Sequence, residues 1–278
     1  YERARPNPVG PASADDWSAF LWASRLAYAD RDHYMADDEF VPTPTQELIA
    51  PAYLDERARQ IDLSRAPAQV RPGQPAGPDL YNRWGTDEED EVGTTHLSIV
   101  DQWGDAVSLT ATIESYFGAQ RMASGFLLNN ELTDFSFRPT INGRPVANAV
   151  APGKRPRSSM SPSIVTDREG ELVLVIGSPG GSDIIGYVAR ATIAILDWHV
   201  PVQDALGLGN ATGRFADVTA EPERWPAGVG AELARRGWRL VPVDGHSGLH
   251  AIHVTPNGLE GGADPRGEGA VGRIEAAN

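Results

Sequence analysis

Cysteine is absent from this sequence of 278 residues. Without cysteine the chain has no disulfide framework, no thiolate nucleophile and no cysteine-based metal site, so several classes of enzyme and of small cross-linked protein are excluded. The absence does not fix the compartment. Length and composition are those of an ordinary globular protein and allow either one large domain or two small ones.

Basic residues and long apolar runs are also scarce. There are 24 Lys and Arg against 38 Asp and Glu, a formal net charge of −14, so the chain repels polyanions and we expect no nucleic-acid partner. No apolar run approaches the roughly 18 to 20 residues that cross a membrane. The opening YERARPNPVG lacks an initiator Met and the features of a signal peptide. We therefore expect a soluble fragment or processed product without a membrane span.

The first third of the chain shows helical spacing followed by a loop. Residues 13–34 predict a helix, with Ser13 and Asp16 typical of an N-terminal cap. The apolar positions of its predicted face are Trp17, Phe20, Leu21, Ala27 and Tyr28. A second, poorer helix is predicted over residues 51–63. Residues 64–93 are rich in Pro, Gly and acids and indicate a loop or tether.

The pattern changes at Thr94, where two alternating β-branched runs, THLSIVD and AVSLTATI, are separated by QWGD. This pattern predicts a β-hairpin. With the turn centred on Trp103 and Gly104, Thr94 faces residue 113 and has Thr112 and Glu114 as cross-strand neighbours. The hairpin therefore brings two threonines and a carboxylate to one end.

Later segments complete a mixed pattern of helices and strands. ELVLVIG predicts a buried strand that runs through SPGGS into a helix over DIIGYVARATIAILDW. AELARRGWRLVPV predicts a helix then a strand, and HAIHVTPNGLEGG predicts a hairpin about an Asn-Gly turn. The fold class is therefore α+β, without internal repeats or a doubly wound sheet.

The Gly93–Thr94 bond has the residues for an internal acyl shift. The Thr94 hydroxyl can attack the carbonyl of Gly93, and hydrolysis of the resulting ester leaves a threonine whose free α-amine serves as base for its own hydroxyl. Glycine keeps that carbonyl accessible and the backbone adaptable. By itself, however, a threonine at a strand start is better explained by its strand propensity.

Several segments together resemble the γ-glutamyltransferase (γ-glutamyl transpeptidase) family. They are TTHLSIVD, GFLLNNELTDFS, KRPRSSMSPSIV, GSPGGSDII and the late DPR. The resemblance implies the four-layer α/β/β/α sandwich of the N-terminal-nucleophile hydrolases. It also implies that residues 94–278 form the small catalytic subunit and residues 1–93 the C-terminal part of a large subunit. The remainder of that large subunit is then an expected partner, in a heterodimer formed after cleavage at Gly93–Thr94.

The resemblance also implies roles for individual residues. Thr94 is the nucleophile and Thr112 orients it, while backbone N–H groups of Gly180 and Gly181 form the oxyanion hole, as a glycine turn before a helix can. The substrate that the resemblance implies is a γ-glutamyl compound such as glutathione. The residues that the resemblance assigns to its binding are Glu114, Glu131 and Asp134 for the α-ammonium and Ser158 and Ser159 for the α-carboxylate. No metal or organic cofactor is implied.

Some departures keep alternatives open. Glu114 stands where many family members have Asn, and residues 135–147 form a shorter lid segment without tyrosine, which favours hydrolysis over transfer. A cephalosporin or glutaryl acylase of the same superfamily is therefore an alternative, as is an unprocessed, non-catalytic fragment. Because the family is usually exported, we expect a periplasmic or secreted location.

Other site types fit the sequence less well. His246, His250 and His253 lie across a loop and a strand without an acidic partner nearby, so packing or surface positions explain them better than a metal site. The acidic run 87–91 is interpreted as solvated tether rather than a cation site. No pair of acids is singled out as facing carboxylates of a glycosidase, and GSPGGS lacks the ending of a phosphate-binding loop.

Overall fold

The computed structural model describes residues 1–77, 93–141, 143–214 and 216–274. The acidic run 87–91 and much of the predicted tether lie outside these residues. The helices are α1 (Ala14–Tyr34), α2 (Thr45–Leu48), α3 (Pro51–Ala58), α4 (Ile184–Leu196), α5 (Val202–Gly207) and α6 (Val229–Arg235). The strands are β1 (Thr94–Val100), β2 (Ala106–Thr112), β3 (Met122–Ala123), β4 (Phe126–Leu127), β5 (Thr140–Ile141), β6 (Arg144–Pro145), β7 (Ser163–Thr166), β8 (Leu172–Gly177), β9 (Ala211–Thr212), β10 (Asp217–Ala220), β11 (Arg239–Pro242), β12 (His250–Thr255) and β13 (Gly258–Ala263).

This mixture of helices and largely antiparallel strands confirms the α+β class. The sheets have the orders β1-β2, β11-β10-β9, β13-β12-β8-β7, β3-β4 and β5-β6. β10 and β11 are parallel, as expected for strands joined through a helix, here α6. Within the described ranges, no helix is long and apolar enough to cross a membrane.

The described residues form two compact units, each assembled from separate stretches of chain. Unit 1 takes its residues from Tyr1–Asp90, Asn130–Ser158 and Ala211–Val243, and unit 2 from Glu91–Asn129, Ser159–Asn210 and Asp244–Asn278. The predicted division at 93/94 concerns a cut in the chain rather than packing, and it stays a prediction.

Unit 1 is organised around α1. The Ser13 side chain accepts a hydrogen bond from the Asp16 backbone N–H at the helix start, which confirms the predicted cap. Trp17 is fully buried and its ring lies 4.6 Å from that of Trp225. The predicted apolar face is wrong at Ala27, which is exposed, because this residue lies about 80° round the helix from Trp17 at the edge of the face.

The segment after α1 is less regular than its pattern predicts. The second helix forms, but as α3 it ends at Ala58 rather than at residue 63. Its first residue is Pro51. Proline suits this position because the backbone N–H that it lacks would have no partner within the helix. Residues 64–77 contain no helix or strand, in agreement with the predicted loop over the part of it that is described.

Unit 2 consists of three stacked layers. Cα neighbours across the four-stranded sheet place Ile176, Ala251 and Gly262 on one face, and Gly262 lies against Val202 and Leu206 of α5. Gly177 and its partner His250 occupy the opposite face, because side chains alternate along a strand. On that face β1 and β2 pack against β7, β8 and β12. The hairpin therefore lies across the sheet from the helices.

The register of the β1–β2 hairpin differs from the sequence prediction by one residue. Thr94 pairs with Thr112, not with residue 113, and Val100 pairs with Ala106. The loop is a five-residue one centred on Trp103, because the Asp101 carboxylate accepts hydrogen bonds from the backbone N–H groups of Trp103 and Asp105. Asp and Asn side chains commonly close loops in this way.

Two further predicted elements are confirmed. The strand, glycine turn and helix over residues 171–198 appear as β8, a short 3₁₀ turn (Gly181–Asp183) and α4. The late hairpin is present as β12 and β13, although its two-residue turn is Pro256–Asn257, since Gly258 already pairs with Thr255. The helix and strand over residues 231–243 also form, as α6 and β11.

Candidate active site

Thr94 and Thr112 meet at the open end of the β1–β2 hairpin. They are direct cross-strand partners, and the Thr94 hydroxyl donates to Thr112 Oγ1 at 2.9 Å. Both residues are half-buried. The first residue of β1 thus has a half-buried side chain whose hydroxyl proton points at an acceptor.

Thr112 Oγ1 is held as an acceptor by a second donor. The backbone N–H of Glu114 donates to the same oxygen at 2.8 Å, and a hydroxyl oxygen has two acceptor sites. Both sites are therefore occupied, one of them by Thr94. The arrangement fixes the direction of the Thr94 proton and keeps the lone pairs of Thr94 Oγ1 out of this contact.

Gly93 is enclosed by the backbone that follows β2. Its N–H donates to the Glu114 carbonyl at 2.7 Å, and its own carbonyl accepts from the Ile113 N–H at 3.4 Å. A Cβ at this position would lie 2.6 Å from the Glu114 carbonyl oxygen and 2.8 Å from that of Ser115. Only glycine fits here without moving backbone, so the residue before Thr94 is restricted by packing as well as by chemistry.

Glu114 has an uncommon backbone conformation beside this pair. Its φ is 71°, in the left-handed region that non-glycine residues seldom occupy. The side chain is 3% exposed, and its carboxylate accepts a hydrogen bond from the Ser115 hydroxyl at 2.7 Å. A buried carboxylate therefore lies two residues after Thr112.

Gly180 and Gly181 form the turn between β8 and α4 in the same unit. Both have positive φ, 132° and 55°, and a Cβ on Gly180 would lie 2.5 Å from the Tyr187 ring. The turn leads through Gly181–Asp183 into the start of α4. Backbone N–H groups at such a position are suited to bind an anion or a developing oxyanion.

The remaining predicted substrate residues are divided between the two units. Glu131 and Asp134 begin and end one 3₁₀ turn in unit 1, where Asp134 is buried and Glu131 half-buried. Ser158, which ends the second stretch of unit 1, is exposed, and Ser159, which begins the next stretch of unit 2, is buried. The hydrogen-bonded group in unit 2 therefore contains Thr94, Thr112 and Glu114 of the predicted site, with Gly93 beside them.

Polar residues continue from Thr94 and Thr112 along the face of the hairpin that meets the sheet. The members of this inner face are Thr94, His96 and Ser98 on β1 and Ser108, Thr110 and Thr112 on β2, in three cross-strand pairs. The sequence analysis overlooked the middle and last pairs. Their signal was present, because every second residue of both runs is polar.

His96 is the centre of this inner face. It is 4% exposed, its Nδ1 lies 2.8 Å from Thr110 Oγ1 and its Nε2 lies 3.0 Å from Ser98 Oγ. Burial, with a smaller contribution from nearby His250, lowers the pKa of His96 to about 4. The imidazole is therefore neutral at neutral pH, one nitrogen donating and the other accepting.

The other histidines that the structure describes do not gather into a metal site. Within the described part of the chain, no group of three or more His, Cys, Asp or Glu residues is arranged to hold a metal ion. His250 and His253 lie on β12, and the His250 ring stacks near that of His96 with centroids 6.4 Å apart.

The fold is of the class found in the N-terminal-nucleophile hydrolases. A solved structure of the T380A mutant of Helicobacter pylori γ-glutamyltranspeptidase is similar, with 35% identity and a TM-score of 0.56 over 62% of this chain and 100% of that chain. The chain belongs to the γ-glutamyltranspeptidase family, whose sequence profile matches residues 2–274. This confirms the resemblance found in the sequence.

Two curated relatives illustrate the range of the family. The chain is 37% identical over 273 residues to the glutathione hydrolase proenzyme of Escherichia coli (strain K12), a match covering 92% of this chain and 44% of the relative. It is 31% identical to the acylase ACY 1 proenzyme of Pseudomonas sp. (strain V22), covering 94% and 44%. The chain thus spans about half the length of these relatives.

Proposed function

We propose that this chain supplies the catalytic part of a γ-glutamyl hydrolase and transferase that acts on glutathione-like γ-glutamyl amides. The observation that carries the proposal is the Thr94 hydroxyl donating to a Thr112 oxygen directly after a glycine that no other residue can replace without a clash. A relative that is 37% identical is named glutathione hydrolase proenzyme, which supports this substrate class.

The first step is self-cleavage at Gly93–Thr94. Thr94 Oγ1 attacks the Gly93 carbonyl carbon, the C–N bond breaks, and the Thr94 nitrogen takes up the hydroxyl proton as it becomes a free α-amine. Water then hydrolyses the ester, leaving the Gly93 carboxyl group and the Thr94 hydroxyl. Thr112 orients the attacking group, because its oxygen accepts from both Thr94 and Glu114.

Turnover repeats the same attack on a substrate. Thr94 Oγ1 attacks the γ-carbonyl carbon while its α-amine takes the hydroxyl proton. The Gly180 and Gly181 N–H groups stabilise the oxyanion, and the departing amine receives the proton as the γ-glutamyl ester forms. Water or an acceptor amine then resolves the ester.

Binding of the glutamyl end uses carboxylates for its α-ammonium and neutral hydroxyl donors for its α-carboxylate. Glu114, Glu131 and Asp134 receive the α-ammonium, because carboxylates are its natural acceptors, and the hydroxyls of Ser158 and Ser159 donate to the α-carboxylate. A carboxylate at Glu114, where many relatives carry Asn, strengthens the attraction for the ammonium. The buried position of Glu114 increases the effect of its charge.

The partner of this chain is the remainder of a large subunit. Matching relatives are about twice as long, and residues 1–93 correspond to the end of the large subunit, with residues 94–278 as the small one. The mature form is then a heterodimer in the periplasm or outside the cell. Because the lid segment 135–147 is short, water competes well with acceptor amines for the ester.

An acylase of the same superfamily is the alternative supported by an observation, the 31% identity to an acylase proenzyme. Rates for a γ-glutamyl anilide and the corresponding glutaryl anilide separate the two. The proposed function predicts a preference for the γ-glutamyl compound, because its α-ammonium pairs with Glu114, Glu131 and Asp134. A preference for the glutaryl compound supports the acylase.

A Thr94→Ala variant tests whether the chain is catalytic or an unprocessed binding fragment. We expect this variant to lose both cleavage at Gly93–Thr94 and turnover, while Thr95→Ala, one residue later on the exposed side of β1, keeps both. Turnover retained by Thr94→Ala would move the nucleophile elsewhere. An unbroken, inactive wild-type chain would support the fragment.

A further inference from the structure

The His96 ring occupies the space where a side chain of residue 177 would lie. A Cβ on Gly177 would be 2.2 Å from His96 Cε1, 2.4 Å from Nδ1 and 2.7 Å from Nε2. The φ of Gly177 is outside the left-handed region, so its backbone conformation suits any residue. A larger residue at position 177 is therefore excluded by the His96 imidazole of the hairpin rather than by the backbone conformation.

The contact between His96 and Gly177 lies between the strand of Thr94 and the strand that leads to the Gly180 turn. His96 follows Thr94 by two residues and faces the same side of β1. Gly177 is the last residue of β8 and precedes Gly180 by three. The ring thus rests between the strand that begins with the nucleophile and the strand that ends at the glycine turn.

Hydrogen bonds on either side of the ring hold the two layers at this separation. Ser98 Oγ donates to the His250 carbonyl at 3.3 Å, and Ser108 Oγ donates to the Ile176 carbonyl at 3.1 Å. The ring itself bonds to Ser98 and Thr110 of the hairpin. His96 is thus fixed to the hairpin by polar contacts and touches β8 by packing alone.

We infer that His96 is a positioning residue that sets the spacing between the Thr94 strand and the strand leading to Gly180 and Gly181. The inference rests on the proposed function, in which those residues act on one carbonyl group. A neutral ring suits the role, since its hydrogen-bond neighbours are hydroxyls and the ring of His250 faces it from β12. Small displacements of reacting groups are costly, about 100-fold for 1 Å.

A double-mutant cycle between His96 and Gly177 tests the inference. The variants are His96→Ala, Gly177→Ala and the double variant, each measured as the full chain for the rate of Gly93–Thr94 cleavage and for kcat and KM with a γ-glutamyl anilide. His253→Gln on β12 and Gly272→Ala, where a Cβ meets only open space, are the matched controls and keep wild-type values.

Each single variant should lower the cleavage rate and kcat by about 10-fold or more while KM stays within about 2-fold, because positioning acts on the reaction rather than on binding. In the His96→Ala background, the added Gly177→Ala change should cost less than about 2-fold, since the methyl group then enters vacated space. This non-additivity distinguishes positioning from two independent losses of stability.

The outcomes separate this inference from the proposed function. Loss of activity in Thr94→Ala together with a wild-type kcat in Gly177→Ala, or with additive effects in the double variant, would overturn the role of His96 alone. Activity retained in Thr94→Ala would overturn the proposed function and, with it, the positioning of Thr94.

Discussion

The two faces of the β1–β2 hairpin reverse the usual distribution of polar and apolar residues. The inner face, packed on the sheet of unit 2, carries the polar residues Thr94, His96, Ser98, Ser108, Thr110 and Thr112. The outer face carries Leu97, Ile99, Val107 and Leu109, which are 40% to 50% exposed. Burial of apolar surface therefore does not explain which side of this hairpin faces inward.

The inner face is stable because its polar groups have partners. Thr94 pairs with Thr112, Thr110 with His96, and Ser98 and Ser108 with carbonyl groups of the sheet. A buried polar group without a hydrogen bond costs roughly 1–3 kcal/mol, so removing one member of a pair should cost far more here than a change on the outer face. The contrast between the two faces indicates that hydrogen bonding rather than apolar burial holds the inner face, and it can be tested residue by residue.

The largest effect is expected at the end of the inner face nearest Gly93. Thr112→Val keeps the shape of the side chain but removes the acceptor of the Thr94 proton and of the Glu114 N–H. We expect kcat to fall by about 10- to 100-fold, as the loss of a hydrogen bond worth roughly 1–3 kcal/mol implies. Steady-state kinetics with a γ-glutamyl anilide measures it.

The matched control for that substitution is Thr95→Val, the same change on the adjacent, exposed position of β1. It should leave kcat within about 2-fold of the wild-type value, because surface changes remote from such contacts have small effects. Equal losses in both variants would contradict the distinction between the two faces.

A smaller effect is expected in the middle of the inner face. Thr110→Val leaves His96 Nδ1 without its 2.8 Å partner, and the free energy of unfolding should fall by about 1–3 kcal/mol in denaturant titrations. The reverse change on the outer face, Val107→Thr, should alter it by less than about 0.5 kcal/mol. If Thr110→Val were as mild as Val107→Thr, the inner hydrogen bonds would not be the source of stability.

The pH dependence of stability should report the same buried ring. Since the pKa of His96 falls from 6.5 to about 4 on folding, the unfolded chain binds a proton between these values that the folded chain does not. The free energy of unfolding should therefore decrease as pH falls from about 6.5 to about 4, with this contribution complete below that range.

His96→Gln removes that ionisation. Between these pH values the free energy of unfolding should therefore change more steeply with pH in the wild type than in the variant, by the equivalent of up to about one bound proton. The other titratable group that faces the ring is His250 of β12, which both proteins retain. Parallel curves would mean that folding does not lower the pKa of His96.

The smallest effect is expected on the outer face. Leu97→Thr and Leu109→Thr replace side chains that are already 40% and 48% exposed, so less apolar area is lost than in a core position. In this chain we expect the free energy of unfolding to change by less than about 0.5 kcal/mol for each. A loss of several kcal/mol would show that this face is buried in solution.

Local patterns predicted several elements of each unit. Alternation predicted the hairpin, a buried apolar run followed by glycines predicted β8, its turn and α4, and the Ser13 cap predicted the start of α1. Each of these signals involves residues close together in the sequence, where propensity and periodicity act directly.

The prediction failed where a side chain in a loop decided the geometry. The Asp101 carboxylate organises a five-residue connection and shifts the pairing by one, so Thr94 lies opposite Thr112 rather than residue 113. Alternation alone cannot specify this, because a strand pattern is compatible with several loop lengths.

The role of His96 could not be read from the sequence for a different reason. Its neighbour Gly177 lies 81 residues further along the chain. No local pattern indicates that a glycine in one strand makes room for a ring from another layer. The division of Glu131 and Asp134 into a unit other than that of Thr94 is likewise a property of packing between distant segments.

N-terminal sequencing of every polypeptide in a preparation of this chain tests the central claim most directly. The account predicts a cleaved product that begins Thr-Thr-His, accompanied by γ-glutamyl anilide turnover, with both absent from Thr94→Ala. An intact chain with full turnover, or a product that begins at any other residue, would contradict Thr94 as the nucleophile.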